Sequence, residues 1–384
     1  MKTLAELTLQ EREAIIQRFH ARVDRAIAAS PPTKTWVRRA LRRGGAGRCP
    51  VRLKRLSLDV ILRHGDALAD LFCQYPDDAV GVPAYEMNIG HQPGDGPARI
   101  NPIQVLTEGA CWLDEWGTGW SHAVGGIGAI TISHPLHDWS QLDAYLAGRM
   151  PDPLAPGRMD GARPALLMHG QTRYFAGMTH LALFERLHCL RGMQNTFQDF
   201  HLYPAEVDRL LGALTDYLLE IIRQWGQLDG VDGWFLKDDW GTQAALMISP
   251  RMWRKFFAAR YRRICDEAHR WDLDVIFHSC GNVTAIIGDL IDAGVDVLDP
   301  LQPEAMDLTR VAREFGGKIA FCGGISDQEI VTFTPSQVKD HVHRTIDTLG
   351  KAFGNAYLVA PSNTLPPEVP IENLQALFEA CHDQ

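Results

Sequence analysis

The feature that most restricts the fold of this chain is a regular alternation in its second half. After residue 165, short apolar runs of strand length alternate with amphipathic stretches of helix length. This alternation is typical of βα units and a parallel sheet. The predicted strands cover residues 165–168, 233–236, 274–277, 296–298, 318–321 and 356–359. Earlier runs at 79–82 and 127–132 bring the number to eight, which favours an α/β chain folded as a closed (β/α)8 TIM barrel over an open doubly wound sheet.

A basic extension precedes the predicted barrel. Residues 4–29 carry apolar side chains at helical spacing, and a Pro-Pro pair ends this segment. Residues 1–65 contain 15 Lys/Arg against 5 Asp/Glu, whereas residues 66–384 contain 23 against 42. We therefore predict a helical N-terminal extension over residues 1–57 that contacts the acidic barrel of residues 58–384, or the barrel of a second subunit, rather than nucleic acid.

The composition excludes several classes of protein. With 46% hydrophobic and 22% charged residues, the chain is typical of a globular protein. No apolar run approaches the ~20 residues that span a bilayer, and no signal-peptide pattern begins the chain, so we expect a soluble, cytoplasmic protein without a membrane partner. The 8 cysteines form no CxxC pair and are expected to be mostly free thiols. Dinucleotide and P-loop sites are disfavoured because neither the GxGxxG motif of the first nor the GxxxxGK(S/T) motif of the second follows a predicted strand.

Two types of metal ligand follow the predicted strand at 274–277. His278 and Cys280 lie two residues apart, so their side chains share one face of an extended strand. Zinc accepts His nitrogen and Cys sulfur, and a catalytic zinc site needs about three protein ligands and one open position. Cys322, which follows another predicted strand, is the third candidate ligand. The structural alternative for so short a motif is a buried thiol beside a capping imidazole.

Polar residues at other predicted strand ends are candidate catalytic residues. Asp238 and Asp239 are adjacent, so their side chains are expected to face different ways and only one to enter the cavity. That carboxylate could orient a substrate, act as a general base or bind the metal. The alternative is that one caps the following segment and the other pairs with a lysine. Tyr85, Gln302 and Asn363 follow three further predicted strands.

Nine short motifs occur in a fixed order along most of the chain. They are Asp114-Glu115-Trp116-Gly117, Leu190-Arg191-Gly192, Asp238-Asp239-Trp240-Gly241-Thr242-Gln243, Ser249-Pro250, His278-Ser279-Cys280-Gly281-Asn282, Ala293-Gly294-Val295-Asp296, Pro300-Leu301-Gln302, Gly323-Gly324-Ile325 and Pro370-Ile371-Glu372-Asn373-Leu374. In this order they resemble the uroporphyrinogen decarboxylase-like superfamily, which includes the cobalamin-linked methyltransferases. The resemblance implies the TIM barrel, usually as a homodimer.

The resemblance also implies a metal and a methyl carrier. His278 and Cys280 are similar to the HxC zinc ligands of the corrinoid methyltransferases, where zinc holds and activates a thiolate methyl acceptor. Zinc, a corrinoid and a corrinoid protein are therefore the implied cofactor, carrier and partner. The chain departs from the family after the last strand, where those methyltransferases have a cysteine and the decarboxylases a histidine. Asn363 and Ser362 stand there, so either Cys322 compensates or the metal is absent.

Three functional interpretations follow. The leading one is a metal-dependent methyltransferase or demethylase that moves a methyl group between a small-molecule substrate and a corrinoid or thiol acceptor, with Asp239 and Gln302 orienting the substrate. The first alternative is a metal-free decarboxylase or lyase acting on a tetrapyrrole or another small carboxylic acid, although the family's RQAGR motif is missing. The second alternative is an accessory barrel that has lost its chemistry.

Overall fold

The computed structural model of the protein describes residues 7–81, 111–122, 129–179 and 181–384. The strands are β1 Ala79–Gly81, β2 Cys111–Leu113, β3 Gly119–His122, β4 Ala129–Ser133, β5 Tyr174–Thr179, β6 Gly233–Lys237, β7 Asp274–His278, β8 Val297–Leu301, β9 Ala320–Ile325 and β10 Tyr357–Pro361. The helices are α1 Leu9–Ala29, α2 Lys34–Leu41, α3 Leu58–Gln74, α4 Leu142–Gly148, α5 Ala162–His169, α6 Leu183–Arg191, α7 Met193–Leu202, α8 Pro204–Gly226, α9 Pro250–Trp253, α10 Ala259–Arg270, α11 Ile287–Ala293, α12 Leu308–Phe315, α13 Pro335–Leu349 and α14 Ile371–His382. None of the helices in these ranges has the length and apolarity of a membrane span.

A curled sheet of seven parallel strands forms the centre of the described structure. Its order is β1-β5-β6-β7-β8-β9-β10, so each strand after β5 pairs with the next one along the chain. Helices cover the outer face and side chains fill the interior, which is why these strands are nearly continuous apolar runs. All five residues of β7 and of β8 are buried. The α/β, TIM-barrel-like fold that the alternation predicted is confirmed.

Two of the predicted barrel strands do not belong to the barrel sheet. Residues 165–168 lie in α5, where Leu167 and Met168 are 87% and 47% exposed, and the barrel strand β5 begins only at Tyr174. The described part of the 127–132 run lies in β4, which pairs antiparallel with β3 in a separate three-stranded sheet. A hairpin partner only a few residues away is closer than any barrel strand, so the local pairing prevails over the parallel one.

Residues 50–52 bridge the two edges of the seven-stranded sheet. Val51 pairs in parallel with Val359 of β10, and the Val359 N–H donates to the carbonyl of residue 50 at 2.8 Å. On the other side, the N–H of Asp78, just before β1, donates to the Val51 carbonyl at 2.9 Å. This short segment thus stands between β10 and β1, where the eighth strand of a barrel belongs.

Helix α2 closes the amino-terminal end of the barrel. Val37 and Leu41 are fully buried among the side chains that fill the barrel interior. At the rim, the Arg42 Nε atom lies 2.6 Å from the Asp274 Oδ1 atom at the start of β7. The predicted contact between the basic extension and the acidic barrel is therefore present within one chain, where apolar burial and ion pairs act together.

Candidate active and metal site

The carboxyl ends of β6, β7 and β8 carry the polar side chains of the candidate site. The three strands pair in register, with Lys237 opposite His278 and His278 opposite Asp299. Asp239 follows β6 by two residues, and Cys280 follows β7 by two residues. Parallel strands end at the same edge of a barrel, so these side chains converge on one side of it.

Asp239, His278 and Cys280 form a group that fits a metal ion. One ligand atom from each lies within 4.8 Å of the others. The His278 Nε2 atom is 3.6 Å from the Cys280 Sγ atom and 3.9 Å from the Asp239 Oδ1 atom. A tetrahedral zinc ion with bonds of about 2.0 to 2.3 Å places its donor atoms about 3.3 to 3.8 Å apart. Small adjustments would let this oxygen, nitrogen and sulfur bind zinc and leave a fourth position open.

The loops that carry Asp239 and Cys280 are held together by a close glycine contact. A Cβ atom on Gly241 would lie 2.5 Å from the Cys280 carbonyl oxygen, and one on Gly281, where φ is +78°, would lie 2.5 Å from Gly241. The Cys280 N–H donates to Asp239 Oδ1 at 2.8 Å. Glycine is needed at both positions because no side chain fits between the loops.

Asp238 points away from this group. It is fully buried and accepts hydrogen bonds from the backbone N–H groups of Phe184 and Glu185, at 3.0 and 2.8 Å, and from the Tyr261 hydroxyl at 2.5 Å. Burial raises the pKa of its carboxyl to about 6, although these donors oppose the shift. Of the two adjacent carboxylates, only Asp239 joins the metal-ligand group, and Asp238 fastens the start of α6 to the barrel.

A cleft of about 760 Å³ opens beside Cys280. Gln302 and Asn363 border it. The Gln302 Oε1 atom accepts from the Gly281 N–H at 2.9 Å, and the Asn363 Nδ2 atom lies 3.9 Å from the Cys280 sulfur. The structure thus brings these two predicted residues to the metal-ligand group. Tyr85 lies outside the described residues.

Cys322 stands apart from the metal-ligand group. Its thiol is fully buried in the barrel interior, close to the carboxylate of Asp299. Burial, and then the negative charge of Asp299, raises the pKa of this thiol well above its ordinary value. The sequence made Cys322 the third candidate ligand, but it lies outside the metal-ligand group, and Asp299 of β8 contacts His278 instead.

Two residues of the site were missed in the sequence. Asp299 is fully buried in β8. Arg55, in the N-terminal extension (referred to below as the arm), binds both of its oxygens, at 2.7 and 3.0 Å. Burial alone would raise the pKa of the Asp299 carboxyl, but Arg55 and His278 hold it well below its ordinary value. The available signal was a charged residue inside an apolar parallel strand, because such a charge has to be paired.

Lys237 fixes Asp239 from the opposite side. Its Nζ atom lies 2.7 and 2.8 Å from the two oxygens of Glu185 and 3.6 Å from the Asp239 Oδ2 atom. Burial alone would raise the pKa of Asp239, but the charge of the Lys237 ammonium and the hydrogen bond from the Cys280 N–H lower it. Asp239 is therefore held as an anion beside Cys280.

Comparison with known protein families shows which family this chain belongs to. The sequence profile described as Uroporphyrinogen decarboxylase (URO-D) matches residues 185–384, more than half of the chain. The chain belongs to the uroporphyrinogen decarboxylase family. The match to the family includes Asp239, His278, Cys280 and Asp299, whereas Arg55 lies outside it.

Individual relatives are distant. Uroporphyrinogen decarboxylase of Legionella pneumophila (strain Lens) is 24% identical over 179 residues, 46% of this chain, and the chain spans 47% of that relative's length. The protein of the same name from strain Corby is 24% identical over 337 residues, which are 86% of this chain and 80% of the relative. The structure of a methyltransferase from Methanosarcina mazei matches with a TM-score of 0.63 and 16% identity, over 92% of this chain and 99% of that chain. This structural likeness shows a shared fold.

Proposed function

We propose that this protein is a zinc-dependent methyltransferase or demethylase acting on a small molecule. The observation that carries the proposal is the convergence of Asp239, His278 and Cys280 beside an open cleft. A volume of about 760 Å³ lies within the ~300 to 1,000 Å³ typical of small-molecule sites. The shared fold with a methyltransferase supports the proposal.

Asp239, His278 and Cys280 would hold the zinc ion, with the fourth position facing the cleft. Zinc in such a site lowers the pKa of a bound thiol and so keeps a nucleophilic thiolate at neutral pH. Asn363 and Gln302 border the cleft, where their amides can orient a substrate. A corrinoid on a partner protein is the proposed methyl carrier, and a homodimer is the proposed assembly.

The decisive experiment is the metal content of protein purified without chelator and without metal-affinity resin. We expect about one zinc per chain in the wild type and far less in Cys280→Ser, because a thiolate ligand is lost. Cys73→Ser is the matched control, since Cys73 is an exposed free thiol on α3. Wild-type protein without zinc would contradict the proposal.

A transfer assay tests the second half of the proposal. Zinc-loaded protein is incubated with methylcobalamin and a small thiol. The thiolate sulfur forms the new S–C bond while the Co–C bond breaks and its electron pair stays on cobalt, so loss of methylcobalamin absorbance reports the reaction. We expect turnover with the wild type and none with Cys280→Ser. Zinc binding without turnover would support the metal site but contradict the proposal that methylcobalamin is the methyl donor.

Decarboxylation is the second candidate, favoured by the family and by the names of the relatives. It would need cationic groups for substrate carboxylates, yet Arg55 is already bound to Asp299. Turnover of uroporphyrinogen without metal would establish this candidate. If zinc and both turnovers are absent, an accessory role is the remaining interpretation.

A further inference from the structure

The carboxylate of Asp299 accepts hydrogen bonds on several sides. Arg55 binds both oxygens, and the Oδ2 atom also lies 2.6 Å from the Nδ1 atom of His278. The Cys322 thiol lies close to the same carboxylate. Asp299 is fully buried and Arg55 is 10% exposed at its side chain, so water has little part in this arrangement.

These contacts decide which nitrogen of His278 carries the hydrogen. Two groups face Nδ1: the Asp299 oxygen at 2.6 Å and the Arg55 Nη2 atom at 3.4 Å. An ionised carboxylate only accepts, and a guanidinium only donates. The contact of 2.6 Å is far shorter, so it requires a hydrogen on Nδ1, and in the neutral ring this leaves the lone pair on Nε2. Nε2 is the atom that faces Cys280 and Asp239.

We propose that Asp299, held by Arg55, is a positioning residue that keeps His278 as the Nδ1–H tautomer and presents Nε2 as the metal-binding atom. Histidine ligands commonly donate their other ring N–H to a carboxylate, which fixes the ring and makes the ligating nitrogen more basic. The inference leaves Cys322, which is fully buried, outside the metal-ligand group. It rests on the proposed zinc site, but the tautomer is a property of the metal-free protein.

The first test measures the tautomer directly. Long-range ¹⁵N–¹H correlation spectra of metal-free protein labelled at histidine nitrogen distinguish Nδ1–H from Nε2–H rings, and His278→Gln assigns the signal. At about pH 8, above the ordinary imidazole pKa, we expect His278 to be Nδ1–H. An Nε2–H ring would overturn the proposal even if zinc binds, whereas an Nδ1–H ring in a protein that binds no zinc would sink only the proposed function.

The second test measures zinc affinity by competition with a chelator. Asp299→Asn is expected to lower affinity about 10- to 100-fold, as loss of such a supporting carboxylate usually does. Asp296→Asn is the matched control, because Asp296 lies 2.8 Å from the Nε2 atom of His269, outside the metal-ligand group. Its zinc affinity should stay within about twofold of the wild type. Wild-type affinity in Asp299→Asn would overturn the inference.

If Asp299→Asn fails to fold, a double variant tests the same inference. The single variant leaves Arg55 buried without its anion, whereas the double variant Arg55→Met with Asp299→Leu removes both charges and the hydrogen-bond acceptor that faces Nδ1. In the double variant the His278 signal should lose its fixed Nδ1–H character and become a mixture of tautomers. A ring that stays wholly Nδ1–H would show that Asp299 does not select the tautomer.

Discussion

Arg55 and Asp299 form a two-pronged ion pair although 244 residues separate them in the chain. The guanidinium comes from the N-terminal arm and the carboxylate from β8, so this contact ties the arm to the wall of the candidate site. Neither group is more than 10% exposed at its side chain. Removal of one partner leaves the other charge buried and unpaired, which is the costly way to break such a pair.

Arg55→Met is expected to lower the free energy of unfolding by about 3 to 5 kcal/mol. Arg18→Met is the matched control, because the Arg18–Asp66 pair is 60% and 62% exposed. An exposed pair contributes about 0 to 1 kcal/mol. Urea unfolding of both variants measures the difference, and equal shifts would contradict the assignment of Arg55 to a buried pair.

The two thiols nearest the site should behave differently. Cys280→Ser is expected to lose zinc, whereas Cys322→Ser is expected to retain it because Cys322 lies outside the metal-ligand group. Metal analysis of both proteins, with circular dichroism to confirm folding, measures this. If folded Cys322→Ser also loses its zinc, Cys322 is a ligand and the proposed metal-ligand group is wrong.

Gly241→Ala should separate the loops that carry Asp239 and Cys280. The added Cβ would lie 2.5 Å from backbone atoms, so we expect a loss of about 1 to 3 kcal/mol in stability and weaker zinc binding. Gly212→Ala on α8 has no atom within 4 Å of its new Cβ and should be neutral or stabilising by about 0.4 to 1 kcal/mol. Thermal unfolding and zinc titration compare the two. A Gly241→Ala protein that matches the wild type in both would contradict the close contact.

Helix α2, which closes the amino-terminal end of the barrel, should contribute measurably to the free energy of unfolding. Leu41 is fully buried inside the barrel end, so Leu41→Ala is expected to cost about 2 to 5 kcal/mol. Leu9→Ala, at a position that is 52% exposed, should change stability by less than about 0.5 kcal/mol. The urea concentrations at the unfolding midpoints of Leu41→Ala and Leu9→Ala measure the difference. A small effect at Leu41 would mean that α2 is only loosely docked.

His269 gives a pH-dependent prediction away from the site. Its hydrogen bond to Asp296 is the main reason that its pKa is raised. The resulting stability is fully present below the ordinary histidine pKa of about 6.5 and is lost as pH rises through the raised value. The difference in unfolding free energy between wild type and His269→Asn should therefore shrink with rising pH. It should stay below about 1 kcal/mol because the side chain is 42% exposed. An increasing difference would contradict the pairing.

The sequence was sufficient for features that depend on periodicity. Buried parallel strands are apolar runs, and for this reason β6 to β10 could be located before the structure was known. The pair at 278 and 280 could be placed on one face because alternation along a strand is local. The same rule predicted that Asp238 and Asp239 face different ways, but it did not say which of them enters the site.

The remaining features depend on contacts between distant segments. Nothing local indicates that Arg55 reaches Asp299, or that Asp299 separates Cys322 from His278. The strand at 165–168 was misplaced because an apolar run of that length has no feature that distinguishes a short helix from a strand. Assembly state and cellular location stay predictions.

Closure of the barrel by residues 50–52 makes the site a product of both halves of the chain. Arg55 lies 306 residues from Pro361, yet its guanidinium reaches the Pro361 carbonyl at 3.3 Å. Contacts of such sequence separation form late in folding, since the intervening chain must first be ordered. The arm is synthesised first but can dock only after β10 exists. In partly folded chains, His278 and Cys280 should therefore lie near each other before Arg55 and Asp299 form the ion pair that orients His278.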